Sequence, residues 1–216
     1  MTATRMLDLG AGAADEAALE EAAAALREGK TVVFPTETVY GIGCCASNPE
    51  AVRRVYEIKG RDRGKPLAAY VSSVEEAERY GAVFTAAARR LAERFWPGPL
   101  TLLLPAAGGG RLGFRCPDDP RALALIRRAG VPVAGTSANR SGGAPPESGE
   151  EAARLMDGRA DVVLKGGRTR CGGESTIVDL GGEGARIVRA GVIGRGEIEE
   201  ALSRRGRRGC GGAVQR

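Results

Sequence analysis

Histidine is absent from this 216-residue chain, and aromatic residues make up only 4% of it. Without imidazole the common zinc-ligand sets are reduced to all-cysteine ones, and the five cysteines never form a C-x-x-C spacing. So few aromatic rings make it difficult to build the stacking platform on which single-stranded nucleic acids bind. The composition therefore disfavours a zinc protein and a single-strand-binding module.

The cysteines are odd in number, and Cys44 and Cys45 are adjacent. This usage is typical of a reduced cytosolic protein rather than of a disulfide framework. The N-terminus has no apolar signal core, and no stretch approaches the ~20 apolar residues of a membrane span. We therefore expect a cytoplasmic protein that makes no membrane contact.

Positive charge is unevenly distributed along the chain. The formal net charge is +5, but residues 203–216 hold five arginines and no acid. Setting those five aside leaves 27 basic residues, which balance the 27 acidic ones. We therefore expect a neutral folded domain over residues 7–202, a disordered Gly/Arg-rich tail over residues 203–216, and local rather than global anion binding.

Hydrophobic residues make up 43% of the chain, which is enough for one core. Helices are predicted at residues 13–30, 51–58, 74–80, 85–95, 120–129, 150–156 and 195–203. Strands are predicted at residues 31–36, 67–71, 100–105, 112–117, 131–138, 161–167, 175–180 and 185–191. Since these elements interleave without a strict βαβ rhythm, they favour a single α/β domain with a mixed sheet.

A loop rich in lysine and arginine, KGRDRGKPL, follows the second predicted helix at residues 59–67. It is not a P-loop, because its two glycines are one residue too close and a proline replaces the Ser/Thr. No G-x-G-x-x-G opens a helix after a strand either. Lys59, Arg61, Arg63 and Lys65 could clamp a triphosphate or simply form a solvated turn, and the loop alone leaves both open.

Three further segments place polar side chains at the ends of predicted strands: FPTETVYGIG (34–43), GTSANRSGGAPPESG (135–149) and GGESTIVDL (172–180). Hydroxyl and amide groups beside glycines suit a polar ligand site, although turns and helix caps use the same residues. Arg115 and Arg189 each lie inside an apolar strand. A guanidinium there is costly unless it faces solvent or pairs with a carboxylate or phosphate.

The order of these motifs is more informative than any one of them. PTETVYG, KGR with KPL, PGPLT, FRCP, TSANRSG, ESTIVD and IVRAG follow one another along the chain. Together they resemble the YrdC-type family of threonylcarbamoyl-adenylate synthases across residues 17–191. The resemblance implies a twisted mixed α/β sheet with flanking helices around a deep, positively charged central cavity.

The resemblance also implies a reaction that joins L-threonine, bicarbonate and ATP, accompanied by Mg²⁺, into threonylcarbamoyl-AMP with release of pyrophosphate. That product is the donor for threonylcarbamoyladenosine in tRNA, so downstream transfer proteins are implied partners. The implied catalytic K-x-R and S-x-N set around the nucleotide phosphates is Lys59, Arg61, Ser137 and Asn139. Further implied ATP contacts are Lys65, Pro145 and Arg189. The implied threonine site consists of Thr36, Thr38, Tyr70, Gly135, Ser175 and Arg115, the last holding the carboxylate as a bidentate fork.

The sequence departs from the family pattern in three respects. Tyr70 stands where relatives carry histidine, so either the phenol supplies only a hydrogen bond or the proton goes to bicarbonate or substrate. Asp62 stands where a proline is usual after K-G-R, which would alter the stiffness of the loop. Longer relatives add a C-terminal domain, so this chain is expected to represent the short form.

Three other functions are weighed against this expectation. A carbamoyl-adenylate chemistry like that of hydrogenase-maturation proteins is disfavoured, because the zinc-finger cysteines expected there are missing. An RNA-binding module is disfavoured by the neutral core and few aromatics, although the Arg/Gly tail could make weak, salt-sensitive contacts. A non-catalytic or differently specific paralogue that binds nucleotide or RNA is disfavoured by the intact K-x-R and S-x-N sets.

Overall fold

The computed structural model describes residues 3–10, 12–182 and 184–203. Its strands are β1 Arg5–Asp8, β2 Val32–Phe34, β3 Gly41–Cys45, β4 Ala68–Tyr70, β5 Leu100–Pro105, β6 Arg111–Arg115, β7 Val133–Ser137, β8 Val162–Lys165, β9 Thr176–Gly182 and β10 Gly184–Arg189. Its helices are α1 Ala13–Arg27, α2 Pro49–Lys59, α3 Val74–Arg79, α4 Ala86–Phe95, α5 Pro120–Ala129, α6 Gly149–Met156 and α7 Arg195–Ser203. The predicted tail lies, apart from Ser203, outside the described residues. None of the described helices has both the length and the apolar character needed to cross a membrane.

These ten strands form one sheet in the spatial order β1-β8-β2-β3-β7-β4-β6-β5-β9-β10. Neighbouring strands pair in both directions. For example, β2 runs parallel to β8, whereas β3 is antiparallel to both β2 and β7. The expectation of a single mixed sheet with flanking helices is therefore confirmed.

One half of the sheet is covered by helices on both faces. Alternate residues of a strand point to opposite faces. In β2, Val32 and Phe34 accordingly pack with side chains of α1 and α5, whereas Val33 packs with side chains of α2 and α6. The apolar run of β2 is thus explained by burial from both sides.

The other half of the sheet is covered on one face and lines a cavity on the other. Leu100, Leu102 and Leu104 of β5 are fully buried in a cluster with side chains of α4 and α7. The intervening Thr101 and Leu103 point the other way and line the cavity. The candidate site therefore lies over the face of β5 that carries no helix cluster.

Local signals set the ends of α2 and so place the K-x-R motif. Asn48 Oδ1 accepts hydrogen bonds from the backbone N–H groups of Glu50 and Ala51, and Pro49 lies in the first turn. Gly60 ends the helix in the left-handed region, with φ of 57°. Lys59 is therefore the last helical residue, and its backbone direction is determined by the helix.

Strand β3 is absent from the prediction, which leaves the two glycines of GIGCC open between a polar ligand site and a turn. In the structure, a Cβ on Gly41 would lie 3.1 Å from the Tyr70 hydroxyl, and one on Gly43 would lie 3.1 Å from the Phe34 ring. The two rings meet edge to face, with centroids 5.2 Å apart. These glycines therefore make room for packed aromatic side chains within a strand.

Strand β1 is also absent from the prediction. It is a four-residue strand at the edge of the sheet that pairs in parallel with β8, and only Leu7 in it is buried. So short a segment carries no readable alternation of polar and apolar residues. The sheet therefore begins at Arg5, just ahead of the domain boundary predicted at residue 7.

Candidate active site

A row of residues from five neighbouring strands lies beneath the cavity. The strand register pairs them consecutively, in the order Tyr70, Arg115, Thr101, Ile177 and Arg189. Directly opposed residues in adjacent strands point to the same face of a sheet. All five line one cavity of about 560 Å³. The strand register thus fixes the backbone positions of Arg115 and Arg189, the two arginines that lie in apolar strands.

Small residues lie next to this row. Ala68 is paired with Gly113 on one side and with Gly135 on the other, and all three line the cavity. A Cβ on Gly135 would lie 2.5 Å from the carbonyl oxygen of Ile42 and 3.0 Å from the Tyr70 ring. Only glycine fits there, and the missing side chains leave space above the sheet.

The structure brings most of the predicted site residues together. Eleven of the thirteen line this cavity, namely Lys59, Arg61, Lys65, Tyr70, Arg115, Gly135, Ser137, Asn139, Pro145, Ser175 and Arg189. Thr36 and Thr38 are not among the lining residues, and their buried hydroxyls accept hydrogen bonds from Arg115. The roles assigned to the individual residues stay predictions.

Lys59 connects the K-x-R motif to the S-x-N motif. Its ammonium donates hydrogen bonds to the carbonyl of Ser137, to the carbonyl of Asn139 at 2.7 Å and to Asn139 Oδ1 at 3.3 Å. Burial, assisted by the charge of Arg61 and opposed by that of Glu174, lowers the pKa of Lys59 to about 8. With three acceptors engaged, Lys59 holds the loop after β7 against the end of α2.

The loop after α2 is more exposed and turns back on itself. Arg61 donates from Nε to the carbonyl of Lys65 at 2.9 Å and from Nη2 to that of Pro66 at 3.3 Å. Asp62 Oδ1 accepts from the backbone N–H of Gly64 at 2.9 Å. The loop thereby brings Arg61, Asp62 and Lys65 to the cavity, whereas Arg63 is not among the lining residues.

A buried polar network holds Arg115. Its Nη2 donates to Glu37 Oε1 at 3.1 Å, to Thr36 Oγ1 at 3.3 Å and to the Thr38 hydroxyl. The Arg115 and Glu37 side chains are only 6% and 1% exposed. All three of these contacts meet at Nη2, so the guanidinium is oriented, and its buried Nε has no hydrogen-bond partner among the described residues.

The Tyr70 ring lies beside this network. Its edge-to-face partner is Phe34, and the Arg115 guanidinium lies 5.9 Å from the centre of the ring. Burial raises the pKa of Tyr70, while the charge of Arg115 opposes the shift. The phenol therefore stays neutral at physiological pH and can act as a hydrogen-bonding group.

A second chain of hydrogen bonds borders the cavity. Arg189 donates from Nη1 to Glu174 Oε1 at 2.6 Å and from Nη2 to the Ser175 hydroxyl at 3.0 Å. The Ser175 hydroxyl in turn lies 2.9 Å from that of Thr101, which is paired with Arg115 in the register. This chain therefore links Arg189 to the strand position next to Arg115.

The lining contains more basic than acidic side chains: Lys59, Arg61, Lys65, Arg115 and Arg189 against Asp62 and Glu174. Two of the arginines are balanced by carboxylates in direct contact, since Arg115 pairs with Glu37 and Arg189 with Glu174. Uncompensated positive charge is therefore concentrated at the K-x-R end. In the described ranges, no three His, Cys, Asp or Glu side chains are grouped to hold a metal ion.

Sequence reasoning missed Thr101, Glu174 and the partner role of Glu37. Thr101 had a usable signal, because it is the polar position between fully buried leucines of β5. Glu174 and Glu37 had none, because both stand in polar segments whose side-chain directions are set by distant contacts. Only the contacts with Arg189 and Arg115 reveal them.

Fold and site together define an α/β protein with a ligand cavity on the open face of a mixed sheet. The sequence profile of the Sua5/YciO/YrdC family, described as "Telomere recombination", matches residues 24–191. The chain belongs to the Sua5/YciO/YrdC family. The resemblance drawn from the ordered motifs is therefore confirmed.

Individual relatives agree with this assignment. The threonylcarbamoyl-AMP synthases of Bacillus subtilis and Pyrococcus abyssi are each 40% identical to the chain, over 194 and 190 residues. These alignments cover 85% and 84% of the chain but 56% of each relative. The chain thus spans about half the length of these curated relatives.

A solved structure agrees as well. The crystal structure of P. abyssi Sua5 complexed with L-threonine matches with a TM-score of 0.87 and 37% sequence identity. The match covers 93% of this chain and 61% of that one. Nearly the whole chain therefore shares the fold of a protein whose complex contains threonine.

Proposed function

We propose that this chain is an L-threonylcarbamoyladenylate synthase, a nucleotidyltransferase that forms threonylcarbamoyl-AMP and pyrophosphate from L-threonine, bicarbonate and ATP. One observation carries the proposal: Lys59 holds the loop of Ser137 and Asn139, and Arg115 lines the same cavity. The names of the relatives and the threonine complex of a structural neighbour support the choice of substrate. The product would serve tRNA modification in the cytoplasm through downstream transfer proteins.

The proposed chemistry requires no covalent intermediate with the protein. The neutral amine of threonine combines with bicarbonate to give a carbamate and water. A carbamate oxygen then attacks the α-phosphorus of ATP, and pyrophosphate leaves. Negative charge accumulates on that leaving group, so clustered cations are the main requirement. Mg²⁺ enters bound to ATP as part of the substrate and would neutralise part of this charge.

The K-x-R end of the cavity suits the triphosphate. Its cations have only neutral carbonyl oxygens as close partners, so their charge stays available to a polyanion. Arg61 and Lys65 would contact phosphate oxygens directly. Lys59 is already engaged with three acceptors, so its main contribution would be to position Ser137 and Asn139.

The Arg115 end suits an amino acid. Nη2 of Arg115 is taken up by Glu37, Thr36 and Thr38, so Nη1 would bind the threonine carboxylate. The bidentate fork expected from the sequence stays a prediction, since Nε of Arg115 also has no hydrogen-bond partner among the described residues. The Ser175 hydroxyl lies on the same side of the sheet, and Tyr70 adds a neutral phenol.

The test is pyrophosphate release by the purified protein with ATP, Mg²⁺ and bicarbonate, with and without L-threonine. We expect threonine-dependent release that is lost in Lys59→Ala and Arg115→Ala. Matched controls are Lys30→Ala and Arg5→Ala, which remove exposed, ion-paired cations outside the cavity and should retain activity. If ATP binds but threonine changes nothing, the protein is a nucleotide-binding paralogue and the proposal is wrong.

A further inference from the structure

One continuous cavity serves both kinds of substrate under the proposed function. Arg61 and Lys65, at the end suited to phosphates, line it together with Arg115, at the end suited to an amino acid. A guanidinium binds phosphates as readily as carboxylates, and with the same forked geometry. Triphosphate and pyrophosphate are therefore competitors for Arg115 unless a feature of the site keeps them away from it.

Glu37 is a buried acid in direct contact with Arg115. Its side chain is 1% exposed, and its Oε1 accepts a hydrogen bond from Arg115 Nη2 at 3.1 Å. The backbone of Glu37 is held as well, since its carbonyl oxygen accepts the N–H of Cys171 at 2.8 Å. Glu37 is not among the residues that line the cavity. The carboxylate therefore acts on a ligand through Arg115 and not by contact.

Orientation of Arg115 does not by itself require a carboxylate. The hydroxyls of Thr36 and Thr38 accept hydrogen bonds from the same nitrogen. The second oxygen of Glu37, Oε2, is buried and has no hydrogen-bond partner in the part of the chain that the structure describes. Burying a carboxylate in this way is costly, and an amide oxygen would make the same contact with Nη2 at a lower desolvation cost. What the carboxylate adds is a negative charge.

This charge bears differently on the two kinds of substrate. The attraction of an unpaired arginine grows with the charge of its ligand, so it would be about three times larger for pyrophosphate, with roughly three charges, than for one carboxylate. A carboxylate in contact with the guanidinium cancels most of that long-range attraction. Salt screens buried charges only weakly, so the cancellation holds at physiological ionic strength. Short-range hydrogen bonds from Arg115 remain, and they are sufficient for a carboxylate.

The cations at the other end of the cavity are held without any such cancellation. Lys59 donates to the carbonyls of Ser137 and Asn139, and Arg61 donates to that of Lys65. Carbonyl oxygens carry no formal charge, so they fix these cations and leave their attraction for phosphate intact. The acceptor differs between the two ends in the way that sorting of the two substrates requires.

We propose that Glu37 is a specificity-determining residue that keeps phosphates off Arg115 and reserves this arginine for the carboxylate of the amino acid, an inference that rests on the proposed function. Glu37 does so by its charge, while Thr36 and Thr38 supply neutral contacts that orient the guanidinium.

The experiment measures the Kd of L-threonine by calorimetric titration, with and without saturating pyrophosphate, for the wild-type chain, Glu37→Gln and Glu76→Gln. Glu76 is the matched control, because it is also a buried carboxylate, accepts from the hydroxyls of Ser72 and Tyr80, and lies outside the cavity lining. We expect pyrophosphate to raise the threonine Kd at least about 10-fold in Glu37→Gln and to leave it within about threefold in the other two proteins. Orthophosphate should compete less, because it carries fewer charges.

A second variant keeps the test decisive if Glu37→Gln does not fold. Arg115→Met combined with Glu37→Gln removes both charges of the pair, so pyrophosphate affinity should stay within about threefold of the wild-type value. Lys65→Met removes an uncompensated cation and should weaken pyrophosphate binding about 10-fold. A comparable loss in the double variant would show that Arg115 attracts phosphate despite Glu37, and the inference would be wrong.

Two further results would also overturn the inference. Equal competition by pyrophosphate in the wild-type chain and in Glu37→Gln, or none in either, would show that the charge does not sort the ligands. A weaker threonine affinity in Glu37→Gln that pyrophosphate does not change further would reduce Glu37 to an orienting contact. Both results leave the proposed function standing, whereas a wild-type chain that binds no threonine would remove the proposed function and the inference together.

Discussion

The two ends of the cavity hold their cations by different means. At the K-x-R end, Lys59 donates to backbone carbonyls, which carry no formal charge. At the other end, Arg115 and Arg189 pair with the carboxylates of Glu37 and Glu174. The first end therefore keeps a net positive charge, whereas the second is close to neutral.

Under the proposed function, this difference would suit two kinds of ligand. A polyanion such as a triphosphate binds best where positive charge is uncompensated. A zwitterion carries no net charge, so it requires fixed charges of both signs and gains nothing from a large excess of one sign. The two ends also differ in where their cations lie. The paired arginines are on strands of the sheet, whereas Arg61 and Lys65 are on an exposed loop.

The largest expected effect is at Arg115. Its replacement by alanine removes the proposed carboxylate contact and leaves Glu37 buried without its cation, so we expect the free energy of unfolding to fall by about 3–5 kcal/mol. Threonine-dependent pyrophosphate release should fall at least ~100-fold. The double variant Arg115→Met with Glu37→Gln is the control for folding. It should recover most of the stability in urea unfolding but no activity, and recovered activity would show that Arg115 is not a substrate contact.

Smaller losses of stability are expected when Lys59 or Lys65 is replaced by methionine. Lys59→Met leaves buried carbonyl oxygens without a donor, which should cost about 1–3 kcal/mol in unfolding. Lys65→Met alters an exposed loop and should change stability by less than about 0.5 kcal/mol. Both should weaken ATP binding in a titration. Equal stability of the two variants would contradict the positioning role of Lys59.

The low pKa of Lys59 predicts a pH dependence of stability. Its value of about 8 in the folded protein lies below the ordinary 10.5. The unfolded chain therefore binds more protons between these two pH values, so the contribution of Lys59 to the free energy of unfolding rises as pH increases from about 8 to 10.5. Urea unfolding at pH 7.5, 8.5 and 9.5 should show a rise of order 1–3 kcal/mol relative to Lys59→Met. If the free energy of unfolding changed with pH equally in the wild-type protein and in Lys59→Met, the lowered pKa of Lys59 would be contradicted.

The smallest effect is expected at Tyr70. Tyr70→Phe keeps the ring that packs against Phe34 and removes only the hydroxyl. If the phenol supplies one neutral hydrogen bond, the KM for threonine should rise no more than about 10-fold, with stability within ~1 kcal/mol. A loss of kcat at unchanged KM would instead assign the phenol to the chemical step.

Much of the fold could be read from local sequence signals. Helices α5 and α7 have the predicted bounds, and α2, which Asn48 caps and Pro49 begins, contains the predicted residues 51–58. These ends depend on caps, prolines and glycines within a few residues, so no distant contact is needed to predict them. Strand β3 escaped prediction because its glycines serve the packing of Phe34 against Tyr70 across the sheet.

The sequence by itself determined the fold class, the ordered motifs and eleven residues of the cavity lining. Only the tertiary structure decided which partner each charged group has. Glu37 and Arg115 are 78 positions apart in the chain, and so are Lys59 and Ser137. No local pattern encodes such pairs, because strand order and register bring them together. The physical consequence is that net charge at each end of the cavity is a property of the fold.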